Sequence, residues 1–288
     1  MPSSIRASGT SSALARAARR KPLGTFGAVI VLVLLVMAVF AERIAPHAYD
    51  ETIRGARMKP PSTAYWLGTD NLGRDIWSRI VYGARVSVLV GFATVLLGTV
   101  VATAIGVSSG YVGGADDLCV ERVVDAWMAF PYHVIILSVR AVLGPGLLNV
   151  VLSLALIIAA TSSRVIRGAT LAVAGQTYVE AAYATGCPHR RVIVRHILPN
   201  VMPTIIVLAT ISLGGVILAE SALSFLGFGV PPPFPSWGAM LSGSGRTYMF
   251  RAPWMAIWPG VAISVAVFAF NMLGDALRDV LDPRLRGT

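Results

Sequence analysis

Apolar residues run in long blocks along this chain, and charged residues are largely confined to the stretches between them. Five blocks contain no charged residue for twenty or more positions, and a sixth contains a single acid, Asp125. A helix needs about 20 apolar residues to cross the ~30 Å hydrocarbon core of a membrane. The pattern therefore predicts an all-α integral membrane protein with six transmembrane helices, at residues 23–42, 86–111, 123–143, 147–163, 201–223 and 254–275.

The composition agrees with a membrane location. Hydrophobic residues make up 55% of the 288 positions and charged residues only 13%, against about a quarter charged in ordinary soluble domains. The first block could instead be a secretory signal, because it follows a group of basic residues: Arg16, Arg19, Arg20 and Lys21. Its apolar stretch is longer than the roughly 7–15 residues of a signal core. We therefore predict a retained helix.

Lysine and arginine positions predict the orientation. Fourteen lie on the side that holds both termini, nine lie on the opposite side, and Arg140 lies within a helix. The positive-inside rule then places both termini in the cytoplasm of a multi-pass protein of the cell membrane. The net charge of +10 could also indicate nucleic-acid binding, but helix topology and anionic lipid account for it. We therefore expect contact with membrane lipid and none with nucleic acid.

The predicted external segments contain three local patterns. Residues 71–84 predict an interfacial helix that leads into the second crossing, with an Asp75–Arg79 pair on its polar face. Its apolar face would comprise Leu72, Ile76, Trp77, Ile80, Val81 and Ala84. Prolines at 231–233 and 235 predict an extended path in the last external loop. Trp254 and Trp258 are typical of aromatic anchors at the membrane surface.

Motifs for catalysis are sparse. Only two lysines occur, Lys21 and Lys59, and neither follows a glycine-rich loop, so the chain has no nucleotide-binding cradle of the Walker type. The scattered histidines and cysteines do not form a recognisable metal motif. The stretch 106–110 matches Gly-x-Ser-x-Gly, which would make Ser108 the nucleophile of a membrane-embedded hydrolase. We interpret the match as coincidental, with the glycines fraying the end of a membrane helix, and predict no catalytic or metal-binding residue.

Residues 178–200, YVEAAYATGCPHRRVIVRHILPN, form a charged segment between two apolar blocks. Thr177 and Glu180 have the spacing of a capping box and predict the start of a short helix. Gly186 predicts its left-handed end, and Pro188 the first position of a second short helix. Signals at both ends of the first helix favour a rigid element over a floppy loop.

The residue types within the charged segment suggest a docking surface. Ala181 and Ala182 would let a partner approach the backbone closely, while the neighbouring Glu180 offers a charge that sets the register. In the second helix three apolar residues would face lipid or neighbouring helices, three arginines would face water or a partner, and Pro199 would end the helix. These residues are Val192, Ile193 and Ile197, and Arg190, Arg191 and Arg195.

Several motifs resemble those of one family. Glu180-Ala181-Ala182, with Gly186 and Leu198-Pro199 following, resembles the EAA loop of bacterial ABC-importer permeases. His196 stands where the general pattern has isoleucine, and His-Ile-Leu-Pro-Asn resembles the variant of the peptide and nickel branch. Other stretches are similar to the C-type permeases of dipeptide and oligopeptide importers: Leu67–Asp70, Gly73–Asp75, Ser78-Arg79, Gly83–Arg85, Leu218–Glu220, Leu223–Gly227 and Pro235–Gly238.

This resemblance implies a permease subunit with the type I ABC-importer transmembrane fold. It implies a second homologous permease, two ATPase subunits that bind ATP and magnesium, and an extracytoplasmic substrate-binding protein. The chain itself would need no cofactor and hydrolyse no nucleotide. The substrates implied are di- and oligopeptides, moved by alternating access, with nickel, glutathione or another small solute as alternatives. A non-transporting membrane protein is a further alternative.

The same resemblance assigns candidate roles to residues. Coupling to the ATPases would fall to Glu180, Ala181, Ala182, Tyr183, Gly186, Arg190 and Arg191. Arg140 and Glu220 lie near the ends of apolar blocks, and ionisable residues within membranes are candidates for a transport pathway. Snorkelling to the membrane surface or a structural pairing is the favoured interpretation of both residues.

These expectations divide the chain into three parts. Residues 1–83 would hold a cytoplasmic tail, the first transmembrane helix and an external loop with the interfacial helix. Residues 84–275 would form the core permease domain, with five transmembrane helices and a helix-turn-helix coupling loop at about 164–200. Residues 276–288 would form a cytoplasmic tail.

Overall fold

The computed structural model describes residues 22–144 and 146–281, apart from the side chain of Ser244. The expected N-terminal tail with its basic residues, and residues 282–288 of the expected C-terminal tail, lie outside this part of the chain. The helices are α1 Pro22–Val39, α2 Ala41–Ile44, α3 Ile76–Val112, α4 Gly114–Met128, α5 Tyr132–Leu143, α6 Leu147–Ala174, α7 Thr177–Ala184, α8 His189–Val192, α9 Leu198–Phe225, α10 Trp237–Met240, α11 Arg246–Tyr248 and α12 Trp254–Leu281.

Five helical stretches in the described residues are long and apolar enough to cross a membrane. They are α1, α3, α6, α12 and the continuous stretch His189–Phe225 that contains α8 and α9. The pair α4 and α5 makes a sixth if it is counted as one span, although the two helices meet at 85°. The all-helical architecture is therefore as predicted, and the third crossing differs from its prediction.

The prediction of a single straight third helix at residues 123–143 was wrong. α4 ends at Met128, and α5 begins at Tyr132 after a break. Pro131 lies in this break, with the extended torsion angles φ −57° and ψ 126°. A proline has no backbone N–H to donate, and its ring disfavours helical geometry at the residue before it. The proline therefore accounts for the end of α4.

The prediction of a separate interfacial helix at 71–84 was also wrong, because one helix of 37 residues runs from Ile76 to Val112. Asp75 is the N-cap of this helix, and its side chain accepts hydrogen bonds from the backbone N–H and the hydroxyl of Ser78 at 2.9 and 2.7 Å. Arg79 reaches away from Asp75, toward the Tyr49 carbonyl at 2.8 Å. The expected Asp75–Arg79 pair is thus replaced by a helix cap.

Helix α6 extends eleven residues beyond its predicted end, from residue 163 to Ala174. Arg164 and Arg167 fall in this extension, and their charges led the sequence analysis to end the helix too early. In the structure both arginines form ion pairs with acids of α4. A charge that is paired by a neighbouring helix does not have to mark the end of a helix.

Pro199 does not end a helix, in contrast to the prediction, but lies in the first turn of α9. The preceding residues, Ile193–Ile197, form a π-helical turn that joins α8 to α9. In this turn the N–H of Leu198 donates to the carbonyl of Ile193. Pro199 has no N–H of its own, and a wider turn of this kind is a common way to insert an irregularity into a continuous helix.

A row of small residues on α3 lets α6 approach closely. Gly98, Ala102, Gly106 and Gly110 recur every four residues and therefore lie on one side of the helix. A Cβ atom added to Gly106 would lie 2.5 Å from the carbonyl oxygen of Ser163, which is too close for any residue except glycine. Small residues at this spacing commonly pack membrane helices together.

The Gly-x-Ser-x-Gly match lies inside this packed part of α3, so the expectation that its glycines fray a helix end was wrong. The hydroxyl of Ser108 donates to the carbonyl of Ala104 at 2.6 Å, within the same helix. A nucleophile elbow requires a sharp turn between a strand and a helix. Ser108 has helix on both sides of it, which is the wrong setting for such a nucleophile.

The two ends of the helix bundle are distinct. The loop end carries residues 45–75 and 226–253, and the charged end carries the charged segment. α1 packs against α12 with Gly24 beside Ala276, and α12 packs against α9 with Gly214 beside Asn271. Because these neighbours run antiparallel, Pro22 and Leu281 both lie toward the charged end.

Among the residues that the structure describes, two clusters of buried apolar side chains form the core. The larger cluster fills the middle of the bundle and the loop end, and includes Trp237 and Phe270, each 1% exposed. The smaller cluster lies beneath the charged segment and consists of Ala102, Val107, Ile166, Val179, Val192, Ile197, Val201 and Ile205. The charged segment therefore has a core of its own.

Candidate functional site: the charged segment

The first helix of the charged segment, α7, starts one residue away from its predicted cap. Gln176 is the N-cap, and its backbone carbonyl accepts from the N–H groups of Val179 and Glu180 at 2.9 and 3.2 Å. Thr177 is the first helical residue, so the predicted capping box was wrong. Glu180 still lies in the first turn, where a negative charge interacts favourably with the helix dipole.

The end of α7 has the predicted glycine stop. Gly186 has a φ of +76°, a backbone conformation that other residues adopt only at a cost. The N–H of Cys187 donates to the carbonyl of Ala182, and the N–H of Gly186 to that of Tyr183. These two bonds are those of a Schellman motif. Pro188 is the N-cap of the next helix, α8, whereas the prediction placed it at the first helical position.

Three apolar side chains fasten the charged segment to the bundle. Val179, Val192 and Ile197 are each 0% exposed and pack in the smaller cluster with Ile166 of α6 and Val201 of α9. The prediction that Val192 and Ile197 face neighbouring helices is thereby confirmed. Because the anchors come from α7, α8 and the π turn, the whole segment is held as one unit.

The opposite side of the segment is exposed. Glu180, Ala181 and Tyr183 of α7 are exposed, while Ala182 is partly buried. The predicted docking residues Arg190 and Arg191 are exposed as well, as is Arg195. The structure thus exposes both a small-residue helix and three arginines at the charged end.

Two tyrosines and a histidine, which we call the aromatic clamp, join the segment to the end of α3. The hydroxyl of Tyr111 hydrogen bonds with Nδ1 of His189 at 2.7 Å. The ring of Tyr183 lies 6.2 Å from that of Tyr111 and 5.9 Å from that of His189. Tyr111 could not be predicted from sequence, because it lies 78 residues before His189 and no local pattern connects the two.

Arg140 and Glu220 lie away from the charged segment, toward the loop end. Arg140 is 5% exposed and donates to the carbonyls of Gly146 and Gly229 at 3.0 and 2.9 Å. Glu220 is 0% exposed and accepts a hydrogen bond from the Ser224 hydroxyl at 2.6 Å. Neither side chain reaches the surface, so snorkelling is not seen, whereas these internal hydrogen bonds agree with a structural pairing, the other favoured interpretation. A role in the transport pathway stays a prediction for both.

Among the described residues, no group of three or more histidine, cysteine, aspartate or glutamate side chains could hold a metal ion. The chemistry of the charged segment is that of a surface, with small side chains, aromatic rings and fixed charges. Such a surface can bind a protein partner.

Comparison with protein families identifies the chain. Residues 102–287 match the family described as binding-protein-dependent transport system inner membrane component. The chain belongs to this family. Residues 13–61 match the N-terminal transmembrane domain of oligopeptide transport permease C. As a member of this family, the protein is a transport subunit and a multi-pass protein of the cell membrane, and the predicted resemblance is confirmed.

Curated relatives span nearly the whole protein. It is 39% identical to the dipeptide transport system permease protein DppC of Alkalihalophilus pseudofirmus, over 93% of this chain and 88% of the relative. It is 40% identical to the glutathione transport system permease protein GsiD of Escherichia coli, over 93% of this chain and 89% of the relative.

A solved structure shares the fold. It is described as inward-facing conformations of the MetNI methionine ABC transporter, and it matches with a TM-score of 0.59 and 18% identity. The match covers 72% of this chain and 97% of the other. The membrane fold of an ABC transporter is thereby confirmed for this chain.

Proposed function

We propose that this transport subunit is the C-type permease of an ATP-driven importer, and that its exposed charged segment couples it to ATPase subunits. The observation that carries the proposal is the construction of the segment. It is stiffened by a Schellman motif and anchored by Val179, Val192 and Ile197, yet it leaves Glu180 and Ala181 open to a partner. A rigid exposed projection can transmit force, whereas a floppy loop would absorb it.

The coupling residues each have a distinct part in this proposal. Ala181 and Ala182 allow a groove of the ATPase to approach the α7 backbone, while Glu180 and Tyr183 set its position. Gly186 shapes the turn, and Arg190 with Arg191 offers charge to acidic groups of the ATPase. When the ATPases close, the segment moves and the permease alternates between outward-open and inward-open states.

The proposed assembly contains a second homologous permease, two ATPase subunits and an extracytoplasmic substrate-binding protein. ATP and magnesium are bound and consumed in the ATPase subunits, so this chain acts without a cofactor. The charged end faces the cytoplasm in this arrangement, and both chain termini lie on that side. The positions of Pro22 and Leu281, toward the charged end, support the shared side.

Peptides are the proposed substrates. One relative is named for dipeptide transport and another for glutathione transport, and glutathione is itself a small peptide. Glutathione import is the second candidate, and the names of the relatives favour it over nickel. Uptake of a labelled dipeptide and of labelled glutathione into vesicles that contain the complete assembly will distinguish the two.

Co-purification tests the coupling role. Glu180→Arg and Gly186→Leu are expected to reduce the ATPase bound to the permease at least tenfold, since the first change reverses a docking charge. The second forces a bulky residue into a φ of +76°, at a cost of about 1–2 kcal/mol. Gly55→Leu is the matched control, because Gly55 has a φ of +75° and open surroundings at the loop end. Undiminished ATPase binding in both segment variants would contradict the proposal.

A further inference from the structure

Helix α4 carries acids at every fourth position of one face: Asp117, Glu121 and Asp125. Arg164 and Arg167, three residues apart on α6, lie opposite these acids. Residues three or four apart lie on the same side of a helix, so two rows of opposite charge meet along the contact. We call these five residues the charge ladder.

The contacts of the charge ladder form a continuous series. Nε of Arg167 donates to Asp117 at 2.6 Å and lies 3.7 Å from Glu121. Nε of Arg164 lies 3.8 Å from Glu121, and the guanidinium of Arg164 also pairs with Asp125. Each arginine therefore bridges two successive acids.

Asp117 is the most buried member of the charge ladder, with 8% of the residue exposed. In addition to its contacts with Arg167, it accepts a hydrogen bond from the hydroxyl of Ser109 on α3. Charged hydrogen bonds that are shielded from water are considerably stronger than exposed ion pairs. This one carboxylate thus joins three helices at the charged end.

The charge ladder is the main attachment of α4, because the helix has little apolar anchoring. Only Asp117 and Val124 are buried among its fifteen residues. The helix begins at Gly114, directly after its N-cap Gly113; these two glycines have φ of +66° and +65°, and the helix ends at the 85° bend before α5. With a glycine turn at one end and a bend at the other, α4 depends on its side contacts for its position.

The other side of the charge ladder leads directly to the charged segment. Arg164 and Arg167 lie in α6, which ends at Ala174, and α7 begins only three residues later at Thr177. Val179 of α7 packs in the same cluster as Ile166 of α6. A displacement of the charged segment is therefore passed first to the end of α6 that carries the arginines.

We propose that the charge ladder makes α4, and with it the bent α4–α5 pair, follow α6 when the charged segment is moved by a partner. This inference rests on the proposed coupling function of the segment. Asp117 and Arg167 are positioning residues in this scheme, because they act on the helices and contact no substrate. Without the charge ladder, the ATPases would still bind and hydrolyse ATP, but α4 would no longer move with α6.

Charge reversal in the complete transporter, reconstituted in vesicles, tests this inference. Asp117→Arg and Arg167→Asp each bring like charges together and are expected to lower peptide uptake per ATP hydrolysed at least tenfold. The double variant Asp117→Arg/Arg167→Asp restores opposite charges between positions 117 and 167 but leaves an acid at position 167 facing Glu121, so it is expected to recover part of the uptake, at least about threefold above either single variant. Asp116→Arg is the control, because Asp116 is an exposed neighbour outside the charge ladder.

Several outcomes would overturn the inference. Full uptake per ATP in the single variants would show that the charge ladder carries no motion. If uptake and ATP hydrolysis fell in equal proportion and the complex failed to assemble, the charge ladder would serve only to stabilise the fold. If the charge-reversal variants do not assemble, the neutral variants Asp117→Asn and Arg167→Gln replace them. In that case, a loss of uptake per ATP in the double variant equal to the product of the two single losses would show that the two residues act independently, and would contradict the inference. The unchanged complex is measured alongside, and its failure to import would refute the proposed function instead.

Discussion

The two ends of the bundle are built in different ways. At the loop end, side chains from distant parts of the chain are buried and bonded to backbone groups. Nε1 of Trp237 donates to the Ile80 carbonyl at 3.0 Å, and Nε1 of Trp254 to the Thr69 carbonyl at 3.2 Å. Trp254 was expected to anchor the chain in the lipid headgroups. In the structure it also forms a hydrogen bond inside the protein.

At the charged end, the connection is sparser. The charged segment is fixed by a few buried apolar residues and by the aromatic clamp, while most of its side chains are exposed. With few buried contacts at its base, the segment needs less free energy to be displaced from the bundle as a unit than the loop end does. The comparison indicates that the loop end is a locked platform and that the charged end is a unit that can move as a whole.

The largest expected effect is at the loop end, where Trp237→Ala removes a buried ring and its hydrogen bond. Truncation of a buried aromatic costs about 3–5 kcal/mol, so we expect a marked fall in the thermal unfolding midpoint of the purified protein in detergent. Trp237→Phe keeps an aromatic ring and loses the N–H donor, and should cost about 1 kcal/mol.

Tyr183→Ala is the matched truncation at the charged end. Tyr183 is 40% exposed, so the unfolding midpoint should change little while binding of the ATPase falls. If both alanine variants lowered the midpoint equally, the contrast between a locked end and a mobile end would be lost.

The features that sequence could predict are those decided by nearby residues. The apolar blocks are long enough to predict that helices cross the membrane, although not where each helix begins and ends, and the Gly186 stop depends on a conformation that glycine adopts readily. Pro131 was also visible in the sequence as a reason to break the third crossing. The prediction of a single helix at 123–143 did not take it into account.

The features that sequence could not predict depend on partners far along the chain. Arg167 was interpreted as part of a charged loop because its acid, Asp117, lies 50 residues earlier. Tyr111 received no role because its partner His189 follows much later. Asp75 was assigned to the wrong partner, since the same residue can pair at i,i+4 or cap a helix. Only the tertiary structure distinguishes such choices.

A smaller effect is expected from Val179→Ala at the charged end. The change removes about two buried methyl groups from the anchor of α7, which costs about 1–2 kcal/mol. We expect faster hydrogen exchange of the α7 amides. The global unfolding midpoint should change little, because Val179 packs in the smaller cluster beneath the charged segment and not in the main core. Val194→Ala is the control, since Val194 is 57% exposed in the same segment. A fall in the global midpoint as large as that of Trp237→Ala would show that the charged end is locked as well.

The smallest expected effect is that of Tyr111→Phe in the aromatic clamp. The variant keeps the ring contacts and removes the hydrogen bond to His189, which is worth about 1 kcal/mol or less near the surface. Amides of His189–Val192 should therefore exchange up to about fivefold faster, while those near Trp237 stay unchanged. Tyr178→Phe is the control, because Tyr178 is exposed on α7 of the same segment and lies outside the clamp. Equal acceleration of amide exchange in both variants, or no acceleration in Tyr111→Phe, would mean that the charged segment is held by its apolar anchors alone. The aromatic clamp would then not link α3 to the charged segment.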